Sequence, residues 1–222
     1  MPKPPIEFNR IESDSGVAAS VAGSGYSITG SPAYAAGKYG NGINVPANNS
    51  GLVVCTSYLG DILKTQGTIE LWYKPVYAST DGTLRFITGG YGTPGPTGVT
   101  LHYIYWRDGK FYFQTAKNHL HQTATAVSFS AGEWIHLAGV WDDAGINGGA
   151  NRTQLYVNGV LKGYYSGAIV IVGAEWNGIM NIVGFSHTTA SGYGVNDNIK
   201  VYDYAKTDFS DRFNERGGMN DQ

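Results

Sequence analysis

The chain contains little cysteine and little charge. One of its 222 residues is a cysteine, Cys55, and charged residues make up 14% of the sequence. A single cysteine excludes an intrachain disulfide, so a hydrophobic core has to stabilise the fold, and a chain of this length can bury one. The 15 basic and 17 acidic residues include no basic run. The composition therefore argues against nucleic acid and anionic lipid as partners.

Long apolar segments are also missing. No stretch approaches the ~20 apolar residues of a membrane-spanning helix, so we expect no membrane insertion. The first residues, MPKPPIEFN, lack the apolar core of a signal peptide. This start predicts a leaderless protein that works in a virion or another assembled surface structure. An extracellular location is the alternative if the first methionine does not belong to the native mature chain.

Glycine, tyrosine and β-branched residues dominate the rest of the composition. The sequence has 32 glycines and 16 tyrosines. Glycine that recurs every few residues is typical of many short strands joined by turns. Asp108-Gly109 and Asn158-Gly159 each separate two alternating apolar segments, and such pairs favour type I′ hairpin turns. The predicted strands are 51–56, 68–74, 83–88, 99–106, 111–115, 133–141, the two arms of 153–163, 168–172, 180–184 and 198–204.

Several predicted strands have apolar residues on both faces, and residues 133–141 show this most plainly. EWIHLAGVW (133–141) has to lie between two layers, and two face-to-face antiparallel sheets would provide them. Near the C-terminus only TDFSDRFNERG (207–217) has helical spacing, with Phe209 and Phe213 four residues apart. The pattern predicts one all-β domain built as a two-sheet antiparallel sandwich with one short C-terminal helix.

Four sequence blocks follow one another along most of the chain. They are AAGKYGNGINV (35–45), GTIELWYKP (67–75), GEWIHLAGVWD (132–142) and GVNDNIKVYDYAKT (194–207). As an ordered set they resemble the laminin-G-like branch of the concanavalin A-like lectin and glucanase jelly rolls. The resemblance implies a jelly roll over residues 9–217, between an extended N-terminal arm (1–8) and a polar tail (218–222). It leaves the function open, because this fold carries lectins, glycanases, adhesion modules and virion components.

The resemblance also implies a structural calcium. Family members often hold it with carboxylates from two regions, which correspond here to Asn9 with Asp14 and to Asp197. The acids expected at Asn9 and Asn198 are amides in this chain, so a hard cation would meet fewer charged oxygens. The alternative is that Asp197 accepts backbone N–H bonds in a turn.

Glycoside hydrolysis needs two carboxyl groups that flank the scissile bond. The glucanases of this fold carry their acids on one strand, in an E-x-D-x-E or E-x-D-x-x-E pattern. Glu12 and Asp14 have the first spacing but no third acid follows, and Glu70 stands alone on its strand. His136 is expected to be a packed, hydrogen-bonded histidine. With no G-x-S-x-G, phosphate loop or HExxH motif either, we expect no catalytic residues.

Sugars offer C–H faces to aromatic rings and hydroxyls to amides. The side chains of this chemistry that we predict to bind a ligand are Tyr91, Trp106, Tyr164, Trp176, Tyr193 and Asn177. Ordinary packing is the alternative for each of them, and Trp106 can pair across a hairpin.

Two non-catalytic functions stay open. The first is a surface-recognition or structural component, such as a capsid or tail decoration protein of a virion, that can also contact glycans. The second is a dedicated carbohydrate-binding lectin module. The expected partners are other structural-protein subunits, surface glycans or a second copy in a homo-oligomer. An arm (1–8) docked on another chain would favour assembly. An arm folded on its own domain, with an open aromatic groove elsewhere, would favour glycan binding.

Overall fold

The computed structural model describes residues 3–9, 13, 26–29, 31–45, 53–56, 65–92, 100–115, 121–168, 176–183 and 192–214. Their strands are β1 (Glu7–Asn9), β2 (Tyr26–Thr29), β3 (Ala33–Ala36), β4 (Asn41–Val45), β5 (Val53–Thr56), β6 (Gln66–Pro75), β7 (Arg85–Gly92), β8 (Thr100–Arg107), β9 (Lys110–Thr115), β10 (His121–Ala126), β11 (Ile135–Asp142), β12 (Thr153–Val157), β13 (Val160–Tyr165), β14 (Trp176–Val183) and β15 (Gly194–Tyr202). Within these ranges the helical elements are two short 3₁₀ turns, Ile146–Gly148 and Ser210–Phe213. None of them is long and apolar enough to cross a membrane.

The described strands form two antiparallel sheets, which confirms the all-β prediction. The back sheet has the order β13-β12-β11-β6-β15-β4-β3, and β1 also pairs with β15. The front sheet has the order β10-β9-β8-β7-β14-β5-β2. Each sheet also joins strands that are far apart along the chain, such as β6 with β15 and β7 with β14, and most close contacts between residues are long-range.

Both predicted hairpins are present. Asn158 and Gly159 have φ angles of 53° and 79°, and Asp108 and Gly109 have φ angles of 49° and 76°. Two positive φ angles in succession define the type I′ turn, whose twist matches antiparallel strands. These turns set the pairing of β12 with β13 and of β8 with β9.

The core lies between the sheets. The back sheet contributes Ile69, Leu71 and Leu137, and the front sheet contributes Ile104 and Phe113, all of them fully buried. The two layers approach closely where Gly139 of β11 faces Phe113, since a Cβ added to this glycine would lie 2.4 Å from the ring. A larger residue at this position would force the sheets apart.

Strand β11 is buried on both faces, as its sequence predicts, but its second layer is not a sheet. Ile135 and Leu137 face the core, whereas Ala138 and Val140 pack against Phe209 in a separate cluster. Residues 203–214, which we call the C-terminal strap, therefore cover the outer face of the back sheet.

The predicted C-terminal helix is much shorter than its spacing suggests. The strap makes a 3₁₀ turn at Ser210–Phe213, with i to i+3 bonds from Arg212 N to Phe209 O and from Asn214 N to Asp211 O. At three residues per turn, positions four apart no longer share a face. Accordingly Phe209 is buried and Phe213 is 58% exposed.

The described part of the N-terminal arm folds onto its own domain. Residues 7–9 form β1, which pairs with Ile199–Val201 of β15. Ile6 N donates to Val201 O, and the Lys3 ammonium pairs with Asp203.

Sequence reasoning missed β10 (His121–Ala126), whose segment HQTATA has little apolar alternation. It pairs with β9 and is the last described strand of the front sheet on that side. One backbone edge of such a strand has no neighbour in its own sheet, so the strand needs less apolar alternation than a central one. The strand predicted at 168–172 lies, apart from Ala168, outside the described residues.

Candidate functional site

The outer face of the front sheet carries a row of aromatic rings, which we call the aromatic row. Its members are Phe86 on β7, Tyr103 and Tyr105 on β8, and Tyr112 on β9. The register places Tyr105 opposite both Phe86 and Tyr112. These residues alternate along their strands with core residues such as Ile104, so their side chains leave the sandwich on the outer side.

The rings of the aromatic row stand at contact distance. The centroids of Tyr105 and Tyr112 are 4.7 Å apart, with nearly parallel planes at 6°. Phe86 lies 5.7 Å from Tyr105 and 5.5 Å from Tyr103. Such pairs add stability beyond the area that they bury. The row is therefore a rigid apolar platform that crosses three neighbouring strands.

Ring exposure differs along the row. Tyr103 and Tyr105 are almost fully buried, whereas Phe86 and Tyr112 are half-buried. The aromatic surface open to a ligand therefore belongs to Phe86 and Tyr112. Burial raises the pKa of Tyr105 to about 12, and it raises the pKa of Tyr103 further, so both hydroxyls stay protonated at neutral pH.

A glycine allows Tyr103 to take its place. Gly89 on β7 pairs with Tyr103, and a Cβ added to it would lie 2.1 Å from the Tyr103 Cβ. Only hydrogen at this position leaves room for the tyrosine. Gln114 of β9 pairs with Tyr103 on the other side, so an amide lies beside the aromatic row.

The outer face of the back sheet is different, because it buries charge beneath the C-terminal strap. Glu70 of β6 is 1% exposed. Its carboxylate accepts bonds from Lys206 Nζ at 3.1 and 3.3 Å and from the Tyr202 hydroxyl at 2.9 Å. Lys200 Nζ and His136 Nε2 each lie 3.7 Å from it.

The electrostatics of this charged cluster are balanced. Burial by itself raises the pKa of Glu70, but the facing His136 and the ammonium groups of Lys206 and Lys200 hold this pKa well below its usual range. Burial lowers the pKa of His136, although Glu70 opposes the change, so the imidazole is neutral at pH 7. Burial likewise lowers the pKa of Lys200. The Asp211 carboxylate also accepts from Lys206, at 2.9 and 3.1 Å. The positive charges of Lys200 and Lys206 are therefore balanced by the negative charges of Glu70 and Asp211.

Backbone contacts fasten the strap over the cluster. Thr68 Oγ1 donates to Tyr204 O and accepts from Lys206 N. Trp72 Nε1 and the Tyr39 hydroxyl both donate to Arg212 O. The back sheet is consequently closed along the strap, and its acid is shielded from a polymeric substrate.

The structure separates the sequence-predicted ligand residues. Trp106 is fully buried in the core, where its ring packs against Phe111 and its Nε1 donates to Asp81 O. Strand β8 directs Trp106 inward and Tyr105 outward. Trp106 therefore has no exposed surface for a ligand, and its predicted role in binding is wrong. Tyr193 is half-buried and packs against the core, beside the guanidinium of Arg85.

The remaining predicted ligand residues lie elsewhere. Tyr164 is 62% exposed on the edge strand β13 of the back sheet. Tyr91, Trp176 and Asn177 lie on β7 and β14 of the front sheet, where Trp176 pairs with Gly92. Their side chains are outside the description, and their predicted role stays a prediction. Tyr91, Trp176 and Asn177 therefore belong to the same sheet as the aromatic row.

Of the three predicted calcium ligands, the structure describes the side chain of Asp197. The Asp197 carboxylate accepts from the backbone N–H groups of Lys38 and Tyr39 at 2.7 and 2.9 Å, as the hydrogen-bonding alternative predicts. Asn9 pairs with Ile199 through β1, and Asp14 lies outside the described residues. In the described ranges no three histidine, cysteine, aspartate or glutamate side chains gather as a metal site would require. These residues therefore hold no argument for a metal beyond the family resemblance.

The aromatic row as a unit was missed by sequence reasoning. A signal for part of it exists, because the Asp108-Gly109 turn fixes Tyr105 opposite Tyr112. The sequence leaves open which face of that hairpin meets the other sheet, and this decides whether the tyrosines or Trp106 point outward.

A family model described as the concanavalin A-like lectin/glucanases superfamily, of the laminin G type, matches residues 41–208. A comparison with curated protein sequences finds no match. Among solved structures, the chain is similar to domain 4 of AbnA, a GH43 extracellular arabinanase from Geobacillus stearothermophilus, in complex with arabinotriose. The identity is 19% and the TM-score 0.61, over 91% of this chain and 95% of that one.

Two larger proteins contain a similar domain. Trypanosoma rangeli sialidase, in complex with difluorosialic acid, is 13% identical with a TM-score of 0.64, over 92% of this chain and 31% of that chain. The receptor binding domain of botulinum neurotoxin mosaic serotype C/D is 11% identical with a TM-score of 0.65, over 95% of this chain and 50% of that chain. At these identities the likeness shows the fold alone.

Proposed function

Because the chain belongs to the concanavalin A-like lectin/glucanases superfamily, we propose that it is a non-catalytic carbohydrate-recognition domain whose ligand stacks on the aromatic row. The observation that carries the proposal is the row itself, with Tyr112 and Phe86 half-buried at its ends and Tyr105 packed between them. Sugar rings bind by laying a C–H face on an aromatic ring while nearby amides fix their hydroxyls.

The similar arabinanase domain supports the choice of ligand class. That domain is nearly the same length as this chain and was solved with arabinotriose. A short neutral oligosaccharide is therefore the first probe to use. Its length also suits a platform that crosses three strands.

The position of Glu70 supports a role without catalysis. A glycosidase acid has to reach the glycosidic oxygen. Glu70 lies under the C-terminal strap, with its oxygens engaged by Lys206 and Tyr202. Within the described residues it stabilises the domain and faces no substrate cleft.

The arm also favours glycan recognition over a structural role in a virion or surface layer. Residues 3–9 dock on their own domain through β1, while Phe86 and Tyr112 offer aromatic surface on the other sheet, and we expect these two features together in a glycan-binding domain. A purified chain that assembles into particles and binds no glycan would instead support the structural alternative.

The test is a glycan array followed by calorimetry with arabinotriose or the best array ligand. Tyr112→Ala and Phe86→Ala should each weaken binding about tenfold or more, because each removes an open ring of the aromatic row. Tyr164→Ala is the matched control, since this tyrosine is exposed on the other sheet, and it should bind as the parent does.

Equal binding by the Tyr112→Ala variant and the parent would refute the placement of the site. Loss of binding in Tyr164→Ala alone would move the site to the β13 edge, as the sequence allowed. Release of new reducing ends from the bound glycan would contradict the absence of catalysis.

A further inference from the structure

A cavity of about 370 Å³ lies beside the C-terminal strap, on the outer side of the back sheet. The strap forms most of its wall between Tyr204 and Asp211. Asn147, from the 3₁₀ turn at Ile146–Gly148, and Lys3 of the arm complete it. The cavity is separate from the aromatic row, which belongs to the other sheet.

Lys206, the buried cation at the cavity, is already engaged, which argues against an anionic ligand beside it. Lys206 Nζ contacts both oxygens of Glu70, both oxygens of Asp211 and the Tyr202 hydroxyl. An ammonium group has three protons to donate, so none is left over for a phosphate or carboxylate. The Lys3 ammonium pairs with Asp203.

The lining has two carboxylates, Asp208 and Asp211, and Asp211 is already paired with a lysine, which argues against a metal ion. Asp211 is neutralised by Lys206, and one oxygen of Asp208 accepts from Ser210 N at 2.9 Å. The described residues hold no group of three acidic, histidine or cysteine side chains that could ligate a cation. A divalent ion prefers six or more oxygens with net negative charge among them, and the lining does not supply these.

Several hydrogen-bonding groups of the lining keep capacity for a ligand. Asn147 Nδ2 donates to Thr207 Oγ1 at 3.2 Å, so the amide oxygen and the hydroxyl proton are left to bind elsewhere. The Ser210 hydroxyl is exposed, and each Asp211 oxygen retains a further lone pair. The half-buried Tyr204 ring is fixed because its hydroxyl donates to Lys3 O at 2.9 Å.

We propose that this cavity is a second ligand site, which takes a neutral polyhydroxylated compound of one or two sugar rings. A carboxylate, an amide and hydroxyl groups around one aromatic ring match vicinal hydroxyls and a C–H face. The volume lies within the range of small-molecule pockets. The Asp211 acceptor is held in place because Lys206 is anchored on buried Glu70, so binding requires little reordering.

The experiment follows the backbone amides of the ¹⁵N-labelled full chain by NMR. The probes are methyl glycosides of arabinose, galactose and glucose, with inorganic phosphate and calcium chloride in parallel. At least one glycoside should shift the amides of Asn147 and residues 205–211 saturably, with a Kd of about 1 mM. Phosphate and calcium should leave these amides in place.

Ser210→Trp should fill the cavity and weaken the response at least about tenfold. Ser210→Trp also removes the hydroxyl that bonds Asp208, but the backbone bond from Ser210 N to Asp208 remains, so the strap should stay docked. Ser130→Trp, at an exposed serine outside the cavity, is the matched control and should respond as the parent does. Asn147→Ala provides a second variant if Ser210→Trp melts early, and it should also weaken the response.

Saturable shifts that persist in both cavity variants would overturn the proposal, as would no response to any glycoside. A response to phosphate or calcium alone would overturn the ligand class. Tyr112→Ala separates the two sites. If Tyr112→Ala loses glycan-array binding while its cavity still responds, both proposals stand. If the parent shows a cavity response but no array binding, only the proposal for the aromatic row is refuted.

Discussion

Replacing Glu70 by glutamine should destabilise the fold strongly. The parent cluster holds two lysine charges against the charges of Glu70 and Asp211, with His136 neutral. Glu70→Gln leaves two positive charges and one negative charge, and Lys200 then loses the carboxylate 3.7 Å from its ammonium. Removal of one partner from a buried ion pair costs about 3–5 kcal/mol. We expect about 3 kcal/mol in the free energy of unfolding, the lower end of the range, because Lys206 keeps Asp211.

Thermal and urea unfolding at pH 7 would measure this loss. For a domain of this size, 3 kcal/mol corresponds to a fall in Tm of about 6–12 °C. Glu133→Gln is the matched control, because Glu133 is exposed and its carboxylate accepts only from Ser130 N among the bonds seen here. That control should change the free energy by less than about 0.5 kcal/mol.

The pH dependence gives a second readout of the same prediction. The folded pKa of Glu70 lies below its ordinary value of 4.5. Its contribution is therefore complete above that value and is lost progressively as the pH falls from it towards the folded pKa. The difference in stability between the parent and Glu70→Gln should shrink in acid. A difference below about 0.5 kcal/mol at pH 7, or one that is the same at pH 7 and pH 3, would refute the reasoning.

Two further predictions concern the core and His136. Gly139→Ala places a Cβ 2.4 Å from the Phe113 ring and should cost about 1–3 kcal/mol in urea unfolding. Gly82→Ala, whose new Cβ meets its nearest atom at 3.7 Å, should cost less, and equal losses would contradict the close approach of the sheets. The folded pKa of His136 lies below its usual value of 6.5, so stability should rise with pH as unfolded His136 loses its proton. His136→Gln should flatten this rise between pH 5 and 7, and an unchanged slope would show that His136 is not its source.

The hairpins could be predicted because their cause is local. Asn158-Gly159 and Asp108-Gly109 tolerate positive φ angles, and the alternation around them continues in both arms. The predicted strand at β11 was also correct, since its apolar residues on both faces demand two layers. The outer layer proved to be the C-terminal strap, which no local pattern in the strand could identify.

The candidate sites were harder to predict because they join distant segments. Glu70, His136 and Lys206 meet only after β6, β11 and the strap have packed together. A lone glutamate on a strand gives no sign of the two lysines that neutralise it. The cavity likewise forms between the strap, Asn147 and Lys3, and Lys3 precedes the other two by more than half of the chain.

The sequence by itself determined three things: side chains alternate between the two faces of each strand, two hairpin turns lie at Asp108-Gly109 and Asn158-Gly159, and the chain resembles two-sheet jelly rolls. Side-chain alternation along a strand is a property of its backbone, so it can be inferred from neighbouring residues. The tertiary structure decided which face of each strand is the inner one. That choice depends on how one sheet packs on the other, and it sends Trp106 into the core while Tyr105 and Tyr112 form an outer surface.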